Sequence, residues 1–372
     1  MHSAIFVIIL AGSAIQAQTI PARRHGSFNA ITDVDGIRVG QYQKSGGGYQ
    51  TGITVVWAYD GGAVASAYVP GGWPGGINTD ILQPGKREQK LDAAFLTGGS
   101  FYGLAAFGGI MQWLEQNHYG FSVGATPDRV DPLVSGAVVF DLNRGGNFQA
   151  RPNADFGRMA IASAVKGPVA QGDAGAGTGT ATGAFHLKAG LGTASEIFDD
   201  FQVGIITAVN AGGTPVNLDD CSLRGTAENV QGEFDGYRMP SAADCTAAKI
   251  ARHVSVKASA TAANDRSHPQ TTICIVATNA NLTRAQLHRV AEEVNSSEAQ
   301  TIIPFNTNGD GDSIFALATG KRAAAVTDVQ FQKILSAARS VAGRAIAHAM
   351  LSATDVGNLQ SYCSALPSAC VK

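Results

Sequence analysis

Strand-length apolar runs recur along the chain: TGITVVWA (51–58), GAVASAYV (62–69), DAAFLT (92–97), GAVVFDL (136–142), QVGIITAVN (202–210), TTICIVAT (271–278) and DSIFALAT (312–319). Several are apolar almost throughout rather than alternating, which predicts strands covered on both faces. Helical patterns lie between them. In TRAQLHRVAEEV (283–294), Leu287, Val290, Ala291 and Val294 form one stripe, and Thr283 with Gln286 forms a capping box. FYGLAAFGGIMQWLEQ (101–116) is apolar enough to be mostly buried, and 327–351 is a long helical candidate. Helices layered over apolar sheet predict an α/β or α+β sandwich. The polar stretch 211–269 breaks the pattern and reads as an inserted lobe, ending in an exposed linker, NDRSHPQ, that leads into the run at 271. Residues after about 352 read as a tail.

Composition changes this picture in four places. Only 15% of the 372 residues are charged and the net charge is −2, so no electrostatic argument points to nucleic acid or to an anionic membrane as a partner. The 45 glycines follow no collagen period and cluster at the ends of apolar runs, which predicts tight turns and close backbone approaches. Residues 1–17, MHSAIFVIILAGSAIQA, carry an apolar stretch too short to span a bilayer, followed by small and polar residues. They read as a secretory signal cleaved after Ala17, giving a secreted protein, periplasmic in a bacterium. The five cysteines suit an oxidising compartment. The simplest partition is Cys221 with Cys245, Cys363 with Cys370, and Cys274 as a buried thiol, although five cysteines leave the connectivity open.

The chemistry-bearing segments are few. In HPQTTICIVATNA (268–280), hydroxyls stand at the mouth of an apolar strand, directly after Pro-Gln. Threonine starts strands readily, and it is also a nucleophile when it becomes a chain end. GAGTGTATG (175–183) lacks the spacing and the GK[ST] ending of a phosphate loop, so it suits backbone packing or donation to an oxyanion better than a nucleotide. NTNGDGDS (306–313) resembles a calcium loop until its twelfth position, Leu317, which cannot ligate. What remains is a carboxylate pair, Asp310 and Asp312, before a strand. Lys188 in FHLKAGLG is a lysine whose burial would lower its pKa, and Asn210 ends a strand with an amide able to donate to an oxyanion. Nothing in these motifs calls for a metal or cofactor.

Taken in order, GITVV, VPGGWPGGINTDILQPG, LTGGSFYGL, GAVVFDL, GAGTGTATG, LKAGLGTAS, AVNAGG, TTICIVATNANLTRAQ and DGDSIFALATG resemble peptidase family S58, over about residues 30–322 without the 214–268 lobe. That family holds D-aminopeptidases/esterases, β-peptidyl aminopeptidases and 6-aminohexanoate-oligomer (nylon oligomer) hydrolases. The resemblance implies an α+β fold, an αββα sandwich like that of N-terminal-nucleophile hydrolases, in a single hydrolase domain over 18–372. It also implies self-cleavage between Gln270 and Thr271, giving an α chain (18–270, with the lobe at about 211–269) and a β chain (271–372) that stay associated and form homo-oligomers. By the same matching Thr271 is the nucleophile, Asp310 and Asp312 its carboxylates, Lys188 the supporting lysine and Asn210 the oxyanion donor. The threonine with two aspartates is nearer the nylon-oligomer branch than the serine β-aminopeptidases.

The substrate implied is a small peptide, an amide or an ω-amino-acid oligomer, held by a pocket that includes Ser100 and Tyr102 of the loop 98–104, with Phe140 and Asp141. The chain departs from the family in carrying Gln270, where Asn or Gly is more frequent, and in having Phe140 and Asp141 where the serine branch has a tyrosine. Two rival readings are an acyltransferase on the same fold, resembling ornithine acetyltransferase but lacking its KGT-type motif, and a secreted binding protein that has lost processing.

Overall fold

Strands that are apolar on both faces need cover on both faces, and the computed structural model supplies it with four layers: helices, sheet, sheet, helices. It describes residues 23–87, 90–183, 185–261 and 270–370. The expected signal at 1–17 and the linker as far as Pro269 lie outside these residues.

In chain order the strands are β1 (Arg38–Gly46), β2 (Tyr49–Trp57), β3 (Val64–Tyr68), β4 (Gly76–Ile77), β5 (Ala93–Thr97) and β6 (Phe121–Ser122). They continue with β7 (Val130–Asp131), β8 (Val134–Val138), β9 (Leu191–Phe198), β10 (Phe201–Asn210), β11 (Thr271–Asn281) and β12 (Ser313–Ala325). The helices are α1 (Ala106–Gln116), α2 (Ala154–Ala162), α3 (Ala242–Thr261), α4 (Arg284–Thr301), α5 (Asp328–Leu351) and α6 (Tyr362–Ala365). One large sheet runs β1-β2-β5-β8-β4 and the second β3-β12-β11-β10-β9, while β6 and β7 pair in a small two-stranded sheet. The αββα sandwich expected from the sequence is the observed architecture.

Period-two alternation sorts the side chains between layers. Ile273, Ile275 and Ala277 of β11 join Phe315 and Leu317 of β12, and meet Val56, Leu96 and Ala137 of the facing sheet. Their neighbours Cys274, Val276 and Ala280 turn the other way, onto Leu287, Val290 and Val294 of α4 and Ile334 and Val341 of α5. On the outer face of the first sheet, Ile53, Val55 and Phe95 pack against Ile110, Phe156 and Ala160 of α1 and α2. Each large aliphatic side chain buried this way contributes about 1.5–3 kcal/mol, so truncating Ile275 to alanine would open a cavity at the sheet-sheet seam. The predicted capping box is formed, Thr283 with Gln286 starting α4, and a second, Thr327 with Gln330, starts α5.

The segment after residue 211 is built into this sandwich. Val216, Leu223, Phe234 and Ala248 share a buried cluster with Val209, Ile302, Ile346 and Met350. The Cys221–Cys245 disulfide closes the segment and Cys363–Cys370 closes the tail, while Cys274 is a buried free thiol. Arg344 of α5, fully buried, donates to Asn29 (2.8 Å), the Ser195 carbonyl (2.9 Å) and Glu233 (3.0 Å), tying helix, amino-terminal loop and inserted segment together. No helix among the described residues is long and apolar enough to cross a membrane.

Candidate active site

The register of the second sheet creates the site. β10 and β11 are antiparallel with Asn210 opposite Thr271. β11 and β12 are parallel with Ile273 beside Ser313, and a further parallel bridge joins Gln270 to Asp310. The turn Asp310-Gly311-Asp312 therefore runs alongside 270–272. The Gly311 N–H donates to the Gln270 carbonyl at 2.8 Å, and the Gln270 N–H donates to the Gly309 carbonyl at 3.2 Å. Thr271 itself is buried, 4% exposed. Its Oγ1 lies against Gly311 so closely that a Cβ there would stand 2.8 Å from it and 2.7 Å from the Trp73 carbonyl. The glycine between the two aspartates is a steric requirement of this approach.

Both carboxylates are sequestered and oriented by backbone donors. Asp312 accepts from the Thr272 N–H at 2.6 Å and the Asn306 N–H at 3.2 Å. Burial pushes its pKa up to about 7; the Thr272 N–H works against this and the nearby Asp310 adds to it. Asp310 accepts from the Thr307 N–H at 2.7 Å through one oxygen, and its Oδ1 has no hydrogen-bond partner. The turn is capped from the other side by the VPGGWPGG segment, whose Trp73 N–H donates to the Asp310 carbonyl (2.8 Å) and Gly71 N–H to the Asp312 carbonyl (3.3 Å).

Asn210 is fixed at both ends of its amide, accepting from the Ala181 N–H at 3.0 Å and donating to the Phe140 carbonyl at 3.3 Å. Lys188 pairs in a bridge with Ala181, so the GAGTGTATG segment links it to Asn210. Its ammonium, 1% exposed, forms an ion pair with Asp173 at 2.5 Å and donates to the carbonyls of Gly177 (3.0 Å) and Ala189. Burial lowers its pKa and Asp173 opposes that shift. The structure thus brings Thr271, Gln270, Asn210, Asp310 and Asp312 together directly, and Lys188 one step behind them.

The residues expected to form the substrate pocket divide. Asp141 is fully buried, accepts from the Gly99 N–H at 2.6 Å and has its pKa pushed up to about 6 by burial. Phe140 reaches the site through its carbonyl on Asn210. Ser100 is buried with φ +52° in the 3-10 turn Ser100–Ala105, its N–H on the Val139 carbonyl. Tyr102 is half exposed under the Arg151 guanidinium, 3.7 Å from its ring centroid, with Phe148 beside it.

Sequence reasoning missed three groups. Asp173 is the Lys188 partner. Trp73 anchors the aspartate turn, and its signal was the Gly-Gly-Trp-Pro-Gly-Gly string, where a Cβ on Gly71 would stand 2.3 Å from the Asp312 nitrogen. Glu298 of α4 is fully buried against Cys274, and neither of its oxygens has a hydrogen-bond partner. Burial first, then the negative charge of Asp312, raises its pKa well above the usual range. A glutamate at the buried fifteenth position of an otherwise amphipathic helix gives no sign of its partner.

Over residues 29–362 the sequence matches the model of peptidase family S58. It is 37% identical over 366 residues to an uncharacterized aminopeptidase of Mycobacterium leprae, covering 92% of this chain and 95% of that protein. It is 28% identical over 309 residues to a 6-aminohexanoate-oligomer endohydrolase of Kocuria sp., covering 81% and 78%. The L-aminopeptidase D-Ala-esterase/amidase of Ochrobactrum anthropi, a variant of the Ntn hydrolase fold, superposes with a TM-score of 0.64 at 20% identity, covering 91% of this chain and 92% of that one. The fold likeness and the family match agree in extent, and the chain belongs to peptidase family S58.

Proposed function

We propose that this peptidase-family hydrolase processes itself at Gln270-Thr271 and then releases N-terminal residues from small peptides, amides or ω-amino-acid oligomers through an acyl-Thr271 intermediate. The observation that carries the reading is the backbone hydrogen bond from Gly311 to the Gln270 carbonyl at 2.8 Å, with Thr271 Oγ1 packed against the same glycine. A carbonyl so polarised beside a hydroxyl is arranged for acyl transfer. In self-cleavage the Thr271 Oγ–C bond forms as the C–N bond breaks, and the hydroxyl proton ends on the Thr271 nitrogen. Water then hydrolyses the ester, leaving the Gln270 carboxylate and a free Thr271.

The freed α-amine, with an ordinary pKa of about 8, becomes the base for the neighbouring hydroxyl. Asp312, which accepts from the next N–H along, and Asp310, in the turn beside residue 270, hold that amine in register. Asn210, across the strand pair, supplies the amide for the tetrahedral oxyanion, a role worth roughly 3–4 kcal/mol where such a donor has been removed. Lys188 contributes positive charge from behind the glycine-rich segment. In turnover the substrate acyl carbon takes the Thr271 oxygen, the leaving amine takes the proton, and water completes hydrolysis. β11 stays hydrogen-bonded to β10 and β12, which supports two chains that remain associated after cleavage. Two disulfides support secretion, the outcome that a signal at 1–17 would give. The test is Thr271→Ala: an uncut, inactive chain supports the reading, and retained cleavage or amidase activity removes Thr271 from its role.

A further inference from the structure

Asn210 can serve an oxyanion only if the NH2 end of its amide points the right way. The two ends of an amide are alike in shape, so neighbouring groups decide which lies where. The Ala181 N–H requires the oxygen at one end (3.0 Å), and the Phe140 carbonyl requires the NH2 at the other (3.3 Å). That carbonyl takes one N–H of the pair, and the second is the one an oxyanion can use.

Both fixing groups lean on Asp141. The Phe140 carbonyl belongs to the peptide unit that precedes the Asp141 Cα. The chain leaves β8 after Val138, and Val139 adds one bond each to Thr97 (2.8 Å) and Ser100 (3.0 Å). Beyond it the Asp141 carboxylate takes over, accepting the Gly99 N–H at 2.6 Å. Ala181 stands two residues after Gly179, where a Cβ would lie 2.5 Å from Asp141 Cβ and 2.6 Å from its Oδ2. A Cβ on Gly98 would lie 2.0 Å from the same Oδ2 and 2.3 Å from Thr51 Oγ1. The carboxylate therefore fills a slot between two bare backbones, and with 3% exposure it is walled in.

Resting on the function proposed above, we infer that Asp141 is a positioning residue for acyl transfer: it clamps Gly98-Gly99, Phe140 and the 179–181 segment together, so that Asn210 presents its second N–H to the oxyanion. That bond is made only as the substrate carbonyl becomes an oxyanion, so loosening it lowers kcat and leaves KM near its original value. Shape matters more than charge in this role. Asparagine offers Gly99 the same carbonyl acceptor and turns its NH2 toward Thr51 Oγ1. Glutamate keeps the charge but adds a carbon to a slot that has no room for it. The rival role is electrostatic, because the Asp141 charge also acts on Lys188 and Arg144. It predicts the opposite order of the two variants.

The experiment is kcat and KM on the p-nitroanilides of glycine, alanine, leucine and 6-aminohexanoate. The proteins are wild type, Asp141→Ala, Asp141→Asn, Asp141→Glu, Asn210→Ala and the double variant Asp141→Ala/Asn210→Ala, with N-terminal sequencing to verify Thr271 as a chain end. Asp141→Ala should lower kcat about a hundredfold, the lower end of what one lost oxyanion donor costs, with KM within about twofold. Asp141→Asn should recover to within about fivefold of wild type, while Asp141→Glu stays as slow as Asp141→Ala. In the Asn210→Ala background, Asp141→Ala should cost less than about threefold more, since the group it positions is gone. A further loss of about a hundredfold there would show a role independent of Asn210 and overturn the inference. So would Asp141→Glu ahead of Asp141→Asn, or an Asp141→Ala loss that falls on KM. If Asp141→Ala stays uncut or unfolded, the order of Asp141→Asn and Asp141→Glu decides alone, and an uncut Asp141→Asn counts against the inference. In each of these cases an active wild type leaves the hydrolase reading standing. A processed wild type inert toward every amide overturns that reading and the role of Asp141 with it.

Discussion

Asp312→Asn, made in the uncut Thr271→Ala chain, isolates the electrostatic cost of the aspartate turn. Asp312 is 1% exposed, and burial raises its pKa from the ordinary carboxyl value to about 7. The sign follows from proton linkage. Between the two pKa values the folded chain holds a proton that the unfolded chain has lost, so stability falls as pH rises through this window and is level above it. At 1.36 kcal/mol per pH unit, a window of roughly three units amounts to about 4 kcal/mol. Asparagine cannot ionise, so this loss disappears. Its NH2 faces either the Thr272 or the Asn306 N–H, a pH-independent penalty of about 1–3 kcal/mol. Asp141 and Asp92, raised by burial to about 6, are present in both chains and cancel in the difference. Urea unfolding of the two chains at intervals from pH 4 to pH 8 reads the effect directly. The stability of Asp312→Asn minus that of its parent should climb by about 4 kcal/mol across the series. A difference flat within 1 kcal/mol would show that Asp312 ionises normally and that its burial has been misjudged.

Two further substitutions probe the geometry. Gly311→Ala places a methyl 2.8 Å from Thr271 Oγ1 and 2.7 Å from the Trp73 carbonyl. A displacement approaching 1 Å at a reacting oxygen costs about a hundredfold, so pulse-chase electrophoresis should show self-cleavage slowed by that order in a folded chain, and wild-type kinetics would refute the contact. Asp173→Asn strips the counter-charge from the buried Lys188 ammonium. Breaking such a pair costs about 3–5 kcal/mol, to be read as a lowered urea midpoint at neutral pH that recovers as the pH is raised and Lys188 sheds its proton.

The strands at the heart of the site were legible in the sequence because they are buried on both faces. TTICIVAT and QVGIITAVN carry unbroken apolar runs, and the structure starts β11 at Thr271 and ends β10 at Asn210. β1, RVGQYQKSG, is an edge strand with four exposed residues at its end, and its polar pattern gave no signal. GAVVFDL reads as one strand through 142, yet β8 stops at Val138. Asp141 leaves the sheet to accept the Gly99 N–H, a partner forty-two residues away in sequence that no local pattern reveals. The run 101–116 reads as one helix but opens with the 3-10 turn Ser100–Ala105 before α1. Its Gly103 sits so close to the Gly98 carbonyl that a Cβ there would stand 1.8 Å away. The carboxylate pair was visible from its place before a strand, whereas Asp173, Trp73 and Glu298 join the site only through the tertiary fold.

The central claim is that residue 271 becomes a chain end. Denaturing electrophoresis of the purified protein, with N-terminal sequencing of each band, tests it most directly. The account predicts two chains, the smaller beginning Thr-Thr-Ile-Cys, and a single chain when Thr271 is alanine. A wild-type protein that remains one intact chain, or that is cut at any other bond, contradicts it.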